Sequence, residues 1–273
     1  MDPIKNLPGV REAVSLPAWL KAHGYATFGA GKVFHNGPAD SQTCWTEYGN
    51  VTDYGPVPWD DSLRNGKGGG TIHPLQAWLV ESDEIFGPNR ELADPKWMQD
   101  GRLRFPIEQS FGPLSQVPEG GWRKTDGALF RYVSESDRDR MPDEETADFG
   151  VRILERPQSE PFLLALGFIR PHTPLYVPDT YLERFPLESI ELPPVLENDL
   201  DDCAPSLVAN RPYARLRWEI IRQGGDPLWR KWLQAFPASI AFMDDQLGRV
   251  LDALEASPHA GNTVVIFTSD NGY

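Results

Sequence analysis

Three short runs of this chain are apolar without alternation, and three longer stretches repeat apolar residues every three to four positions. The runs are Tyr25-Ala26-Thr27-Phe28-Gly29-Ala30-Gly31, Phe162-Leu163-Leu164-Ala165-Leu166-Gly167-Phe168 and Thr263-Val264-Val265-Ile266-Phe267-Thr268. Short unbroken runs of this kind predict strands buried on both faces. The periodic stretches predict helices. The first covers residues 16–23, with Ser15 as candidate cap, Pro17 in the first turn and Gly24 placed to end it. The second starts at Asp143, a candidate N-cap, repeats Ala147, Val151 and Leu154, and stops before Pro157. The third is a long stripe of Trp229, Trp232, Leu233, Phe236, Ile240, Met243, Leu247, Val250, Leu251 and Leu254, a core-facing set in which Pro237 predicts a kink or a division.

Helices and buried strands thus alternate, which predicts an α/β fold with a mostly parallel central sheet covered by helices on both faces. The core elements are expected at about 15–37, 143–174 and 228–273. Residues 40–135 differ in character. Trp45, Trp59, Trp78, Trp97 and Trp122 stand among prolines and glycines, including Gly68-Gly69-Gly70, with weak periodicity. This stretch reads as a long loop-rich insertion of the sort that shapes pockets. Residues 173–225 are Pro-rich and acidic and read mostly as connection.

A length of 273 residues suffices for one large or two small domains. The net charge of −14 argues against nucleic acid or an anionic membrane as partner, so an anionic substrate needs a local cationic pocket. No apolar run approaches a bilayer span, and the start, Met1-Asp2-Pro3-Ile4-Lys5-Asn6, has no signal-peptide h-region. The two cysteines, Cys44 and Cys203, give no sign of pairing.

Candidate chemistry sits where the three predicted strands end. The first runs into Lys32-Val33-Phe34-His35-Asn36-Gly37, the second into Ile169-Arg170-Pro171-His172-Thr173-Pro174, and the third into Ser269-Asp270-Asn271-Gly272. Carboxyl ends of strands are where open α/β sheets place ligand sites. Asp270 and Asn271 offer the hard oxygens that suit Ca²⁺ or Mg²⁺; the same residues also make an ordinary Asx turn. Lys32 alone is more often a solvated charge, and only its place after a Gly-rich strand raises it; His35 reads also as a packed imidazole, and His172 as part of a rigid proline turn. If the strands are parallel neighbours, Lys32, His35, His172, Asp270 and Asn271 converge. A cation, two imidazoles and a carboxylate–amide pair suit metal-assisted attack on a phosphate or sulfate ester.

These three stretches together resemble the sulfatase family, on the alkaline-phosphatase-like fold. Gly24 to His35 is similar to the family's GY-x-T-x₃-GK segment, Pro161 to Pro174 to its strand and histidine loop, and Thr263 to Gly272 to its metal-binding strand end. The GKVFH form, the PHTP loop and the helix from Ala241 to Leu251 look most like the iduronate-2-sulfatase branch. The resemblance implies a sulfuric ester hydrolase acting on a sulfated sugar or small molecule. Lys32, His35 and His172 would then contact sulfate or assist the leaving group, and Asp270 and Asn271 would hold Ca²⁺. It implies a formylglycine nucleophile, made from Cys or Ser in a C/S-x-P-x-R segment. No such segment precedes Gly24, and Cys203-Ala204-Pro205-Ser206-Leu207 imitates it with Leu207 in place of Arg and in the wrong order. The family's paired N-terminal aspartates and a later Lys are likewise not seen. The expectation is an internal piece of a sulfatase catalytic domain, inactive, poorly soluble and weak in Ca²⁺ binding by itself. Relatives in that family are commonly periplasmic, secreted or lysosomal. A phosphatase or phosphonate hydrolase of the same fold, or a non-catalytic sulfate- or glycan-binding relative, stands as the alternative.

Overall fold

A computed structural model describes residues 9, 13–34, 42–58, 98–99, 102–103, 111–118, 120–196, 198–199, 201–205 and 212–271. The chain divides into two compact units. The first comprises Met1–Thr52, Pro142–Ile169 and Asp244–Tyr273, and the second Asp53–Met141 and Arg170–Met243.

The first unit is built on a three-stranded parallel sheet. Strands β1 (Ala26–Gly31) and β2 (Glu47–Val51) come from the N-terminal part. The third strand is Phe162–Gly167, numbered β7 below in chain order. The order is β7-β1-β2, with β1 central. The β1–β7 register is unbroken, from Ala26 opposite Phe162 to Gly31 opposite Gly167. So the first two predicted strands are direct parallel neighbours. The strand β2 falls inside the stretch read as loop; its sequence, Glu-Tyr-Gly-Asn-Val, carries too few apolar residues to signal one. Helix α1 (Leu16–Ala22) precedes β1, with Pro17 in its first turn and Gly24, at φ 85°, just past its end.

One face of the sheet presents Phe28, Ala30, Phe162, Leu164 and Leu166 to helix α2 (Pro142–Leu154), through Phe149 and Ile153. Val250 packs there too, with Ala147 and Leu154 of α2. Gly49 and Gly150 are the close-approach points: a β-carbon on Gly49 would press on the Phe149 ring, and one on Gly150 on Leu166 at 2.6 Å. The other face of β1 is covered by the segment from Cys44 to Tyr48. Thr27 Oγ1 donates to Cys44 O at 2.6 Å, and the Tyr48 and Trp45 rings lie against Gly29. Helices on both faces were expected; here a loop and the start of β2 fill the place on one side of β1. Asp143 lies inside α2 rather than capping it, and its buried carboxylate accepts from Ile169 N at 2.6 Å, where β7 gives way to a loop.

The run Thr263–Thr268 does not form a strand among the described residues. Val264 is 86% and Ile266 82% exposed, and Phe267 is exposed too. The apolar pattern records a demand for burial; a strand also needs a neighbouring edge to take its backbone N–H and C=O groups.

The second unit has a hydrophobic core of its own. Strands β3 (Val57–Pro58), β5 (Trp122–Arg123) and β6 (Leu129–Phe130) form an antiparallel sheet, while β4 (Phe111–Pro113) pairs in parallel with β8 (Leu175–Val177). Phe111, Trp122, Phe130, Leu175 and Val177 pack with Trp232 and Phe242 of a long helix, α4 (Pro212–Ala256); a short α3 (Asp179–Glu183) precedes it. The helix begins well before Trp229, inside the stretch read as connection. Its interruption falls at Gly225, at φ 68° and ψ −170°, and not at Pro237. Glycine takes that left-handed backbone without strain, and Pro227 then sits in the first turn of the second segment, where its missing N–H costs nothing. Trp232 and Val250 of the predicted stripe are buried, but Ile240 and Leu251 face outwards, and Ala235, Ala238 and Phe242 take their place. Both cysteines are free thiols. Among the described residues no helix is long and apolar enough to cross a membrane.

Candidate functional site

Lys32 leaves the sheet at a point where two backbones touch. Its N–H donates to Gly167 O at 2.8 Å, continuing the β1–β7 ladder by one bond. Gly31 has φ 71°, and a β-carbon there would collide with Gly167 O and Thr146 Oγ1. A β-carbon on Gly167 would collide with the backbone of Lys32 and Val33. Only two facing glycines permit this approach. Gly31 O is held as well, accepting from Tyr48 Oη at 2.8 Å and Thr52 Oγ1 at 3.4 Å. Burial pushes the Tyr48 phenol above its usual range, so it stays protonated as a donor. The base of the Lys32 side chain is therefore fixed from three sides.

Its other end is an ion pair. Lys32 Nζ donates to Asp270 Oδ2 at 2.9 Å, with the lysine side chain 10% and the aspartate 67% exposed. That hydrogen bond holds the Asp270 carboxyl below the usual carboxylate range. Ser269 Oγ donates to Asn271 O at 2.5 Å across a bend at Asp270. That bend holds a carboxylate beside a cation drawn from the opposite end of the sequence. His35 lies outside the described residues, as do Trp59, Trp78, Trp97 and Gly68-Gly69-Gly70.

His172 belongs to the second unit. Arg170–Pro171 and Thr173–Pro174 are cis on either side of it. His172 Nδ1 lies 2.6 Å from Thr173 O. A carbonyl only accepts, so this contact puts the proton of the neutral ring on Nδ1 and the lone pair on Nε2. The Tyr54 ring packs on the imidazole at a centroid distance of 4.8 Å. Arg170, 2% exposed, donates through Nε to Tyr176 O at 3.2 Å and through Nη2 to Gly55 O at 3.0 Å. Neither Tyr54 nor Arg170 was among the residues the sequence pointed to. Arg170 stood two residues before the histidine; Tyr54 carried no signal in its own neighbourhood.

Asp270 and Asn271 supply donors of the type Ca²⁺ or Mg²⁺ takes, but Ca²⁺ needs about six to eight oxygens. Among the described residues no group of three or more His, Cys, Asp or Glu could hold a metal ion. These residues are thus part of a donor set in type, and not a complete site.

A model of the family described as Sulfatase matches residues 8–273. The chain is 34% identical over 265 residues to a protein named Sulfatase from Formosa agariphila, covering 96% of this chain and 42% of that protein. It is 27% identical over 276 residues to human iduronate 2-sulfatase, covering 95% and 40%. Against Escherichia coli YidJ, named an uncharacterized sulfatase, identity is 35% over 238 residues, or 79% and 44%. The chain therefore spans less than half the length of each of these relatives.

Proposed function

The chain belongs to the sulfatase family, and on that premise we propose that the protein hydrolyses sulfate esters, with Lys32, His35 and His172 as residues that bind the sulfate group and Asp270 and Asn271 as ligands of a Ca²⁺ ion. The family's alkaline-phosphatase-like α/β fold goes with this reading. Its members generally use a metal ion and a formylglycine, which when present supply the electrophilic charge and the nucleophile. The observation that carries the proposal is the Lys32 side chain, 10% exposed, held at the carboxyl end of a central parallel strand with its ammonium paired to Asp270.

Sulfuryl transfer spreads negative charge over the oxygens around sulfur as the attacking and leaving oxygens exchange. Donors fixed in advance and partly shielded from water stabilise that charge more than they stabilise the ground state. Lys32 meets the requirement because its backbone is locked by the Gly31–Gly167 contact. Its ammonium pairs with Asp270, a carboxylate that with Asn271 would hold the cation, and the cation would supply further positive charge beside an anionic substrate. His172 carries its lone pair on Nε2 as a neutral ring and is a donor there when protonated. It can therefore hold a sulfate oxygen or pass a proton to the departing alkoxide. A sulfated sugar is the proposed substrate, supported by the similarity to a protein named iduronate 2-sulfatase.

The test is turnover of an aryl sulfate beside the matching aryl phosphate by the full-length protein. Sulfate ester hydrolysis is expected to dominate, and Lys32→Ala to lower it by about 10²–10³, the loss typical of a single oxyanion donor. Phosphate preference, or unchanged turnover in the variant, would overturn the assignment.

A further inference from the structure

We propose that Tyr54 and Arg170 are positioning residues that hold the His172 imidazole in one orientation and one tautomer. The proposal rests on the reading of His172 as a sulfate-site residue. His172 sits on a loop whose two ends, at Arg170 and Tyr176, are joined by the Arg170 side chain. The guanidinium donates to Tyr176 O at 3.2 Å and, across the unit, to Gly55 O at 3.0 Å. One buried side chain thereby ties the histidine loop to the segment at 53–56.

That segment is itself anchored. Asp53 Oδ1 accepts from Gly55 N at 2.8 Å, Thr125 N at 2.9 Å and Thr125 Oγ1 at 2.7 Å, and Tyr54 N donates to Thr125 Oγ1 at 2.9 Å. The backbone on both sides of Tyr54 is fixed, so its ring is presented to His172 and does not merely rest there. The ring planes are inclined by 54° at 4.8 Å, a tilted packing that blocks rotation of the imidazole about χ2. With rotation blocked, Nδ1 stays within reach of Thr173 O at 2.6 Å, and Nε2, a donor once the ring is protonated, keeps one direction. A group that must meet a sulfate oxygen or a leaving alkoxide gains rate from being held in this way. Burial of Arg170 and anchoring by Asp53 serve the same ring from two directions.

The test uses Tyr54→Ala and Tyr54→Phe in the full-length protein, with the His172 ring followed by ¹⁵N-imidazole NMR and assigned by loss of its signals in His172→Gln. Tyr54 is half-buried, so its truncation leaves the core of the unit in place. Arg170→Lys is added because Arg170→Ala removes a buried charge and may not fold. In Tyr54→Ala the Nδ1–H signature of His172 is expected to give way to a mixture of tautomers. Turnover of the aryl sulfate should fall about 10-fold or more with KM little changed. Tyr54→Phe, which keeps the ring, should restore both, and Arg170→Lys should show the tautomer mixture. An unchanged His172 signature in Tyr54→Ala overturns the proposal. A parent protein that shows the expected NMR behaviour but hydrolyses no sulfate ester would instead overturn the functional reading and leave the positioning role standing.

Discussion

Gly31, at φ 71°, and Gly167 face each other across the parallel pair, and the backbone of Lys32 lies against Gly167. Gly167→Ala needs no new charge or hydrogen bond to do damage, because the added carbon occupies the space of the Lys32 carbonyl. We expect it to cost about 2 kcal/mol or more, since an alanine forced where the native geometry has no room destabilises beyond the usual glycine-to-alanine gain. Chemical denaturation of the variant beside the parent would measure this; equal midpoints would mean the strands can part without loss. At this scale the sequence was informative about Lys32, because a lysine following a Gly-rich strand is unusual in kind. It was silent on Tyr54, whose importance comes from the Asp53–Thr125 contacts that no spacing encodes.

Between elements, β2 and α2 are joined by Glu47, which accepts from Arg152 at 2.7 Å and Arg156 at 2.9 Å. Partial burial pushes the Glu47 carboxyl up, but the two arginine hydrogen bonds outweigh it and hold the group below its ordinary value of 4.5. A depressed carboxyl contributes stability above its unfolded value, and the contribution is lost as pH falls through the lower folded value. Replacing Arg152 and Arg156 by Ala should therefore lower stability at pH 7 by about 0.5 kcal/mol per exposed pair. The deficit should shrink as pH falls through the lowered folded value of Glu47, below which the group is protonated in both proteins. A deficit that stays constant down to pH 3 would assign the effect to packing. The helices α1 and α2 and the strands β1 and β7 were legible because apolar spacing and flanking Gly or Pro agreed. Strand β2 was not, since Glu47 and Asn50 serve α2 through side-chain bonds, and those roles displace the apolar residues that mark a strand. The break in α4 was misassigned to Pro237 because a proline is visible in sequence, whereas the left-handed backbone of Gly225 is a property of the fold.

For the chain as a whole, a net charge of −14 opposes association, while the exposed Val264–Phe267 run favours it. Contiguous exposed apolar side chains form a short-range attraction that distant charges cannot offset beyond a Debye length of about 8 Å at physiological salt. Light scattering of the 273-residue chain should show self-association, and Val264→Lys with Ile266→Lys should reduce it at equal concentration. A monodisperse parent would contradict this. The pattern of the run was legible from sequence; that it pairs with no strand among the described residues was not, since pairing depends on which edge lies beside it.

The facing glycines also bear on inheritance. A missense change at codon 31 or 167 would leave every proposed sulfate- and metal-contacting residue intact, yet it would displace the lysine that depends on their close approach. In a population survey such alleles would segregate with losses of Lys32 itself. Pairs of changes that add a carbon to one glycine should find no compensating substitution at the other, because neither position has an atom left to give up.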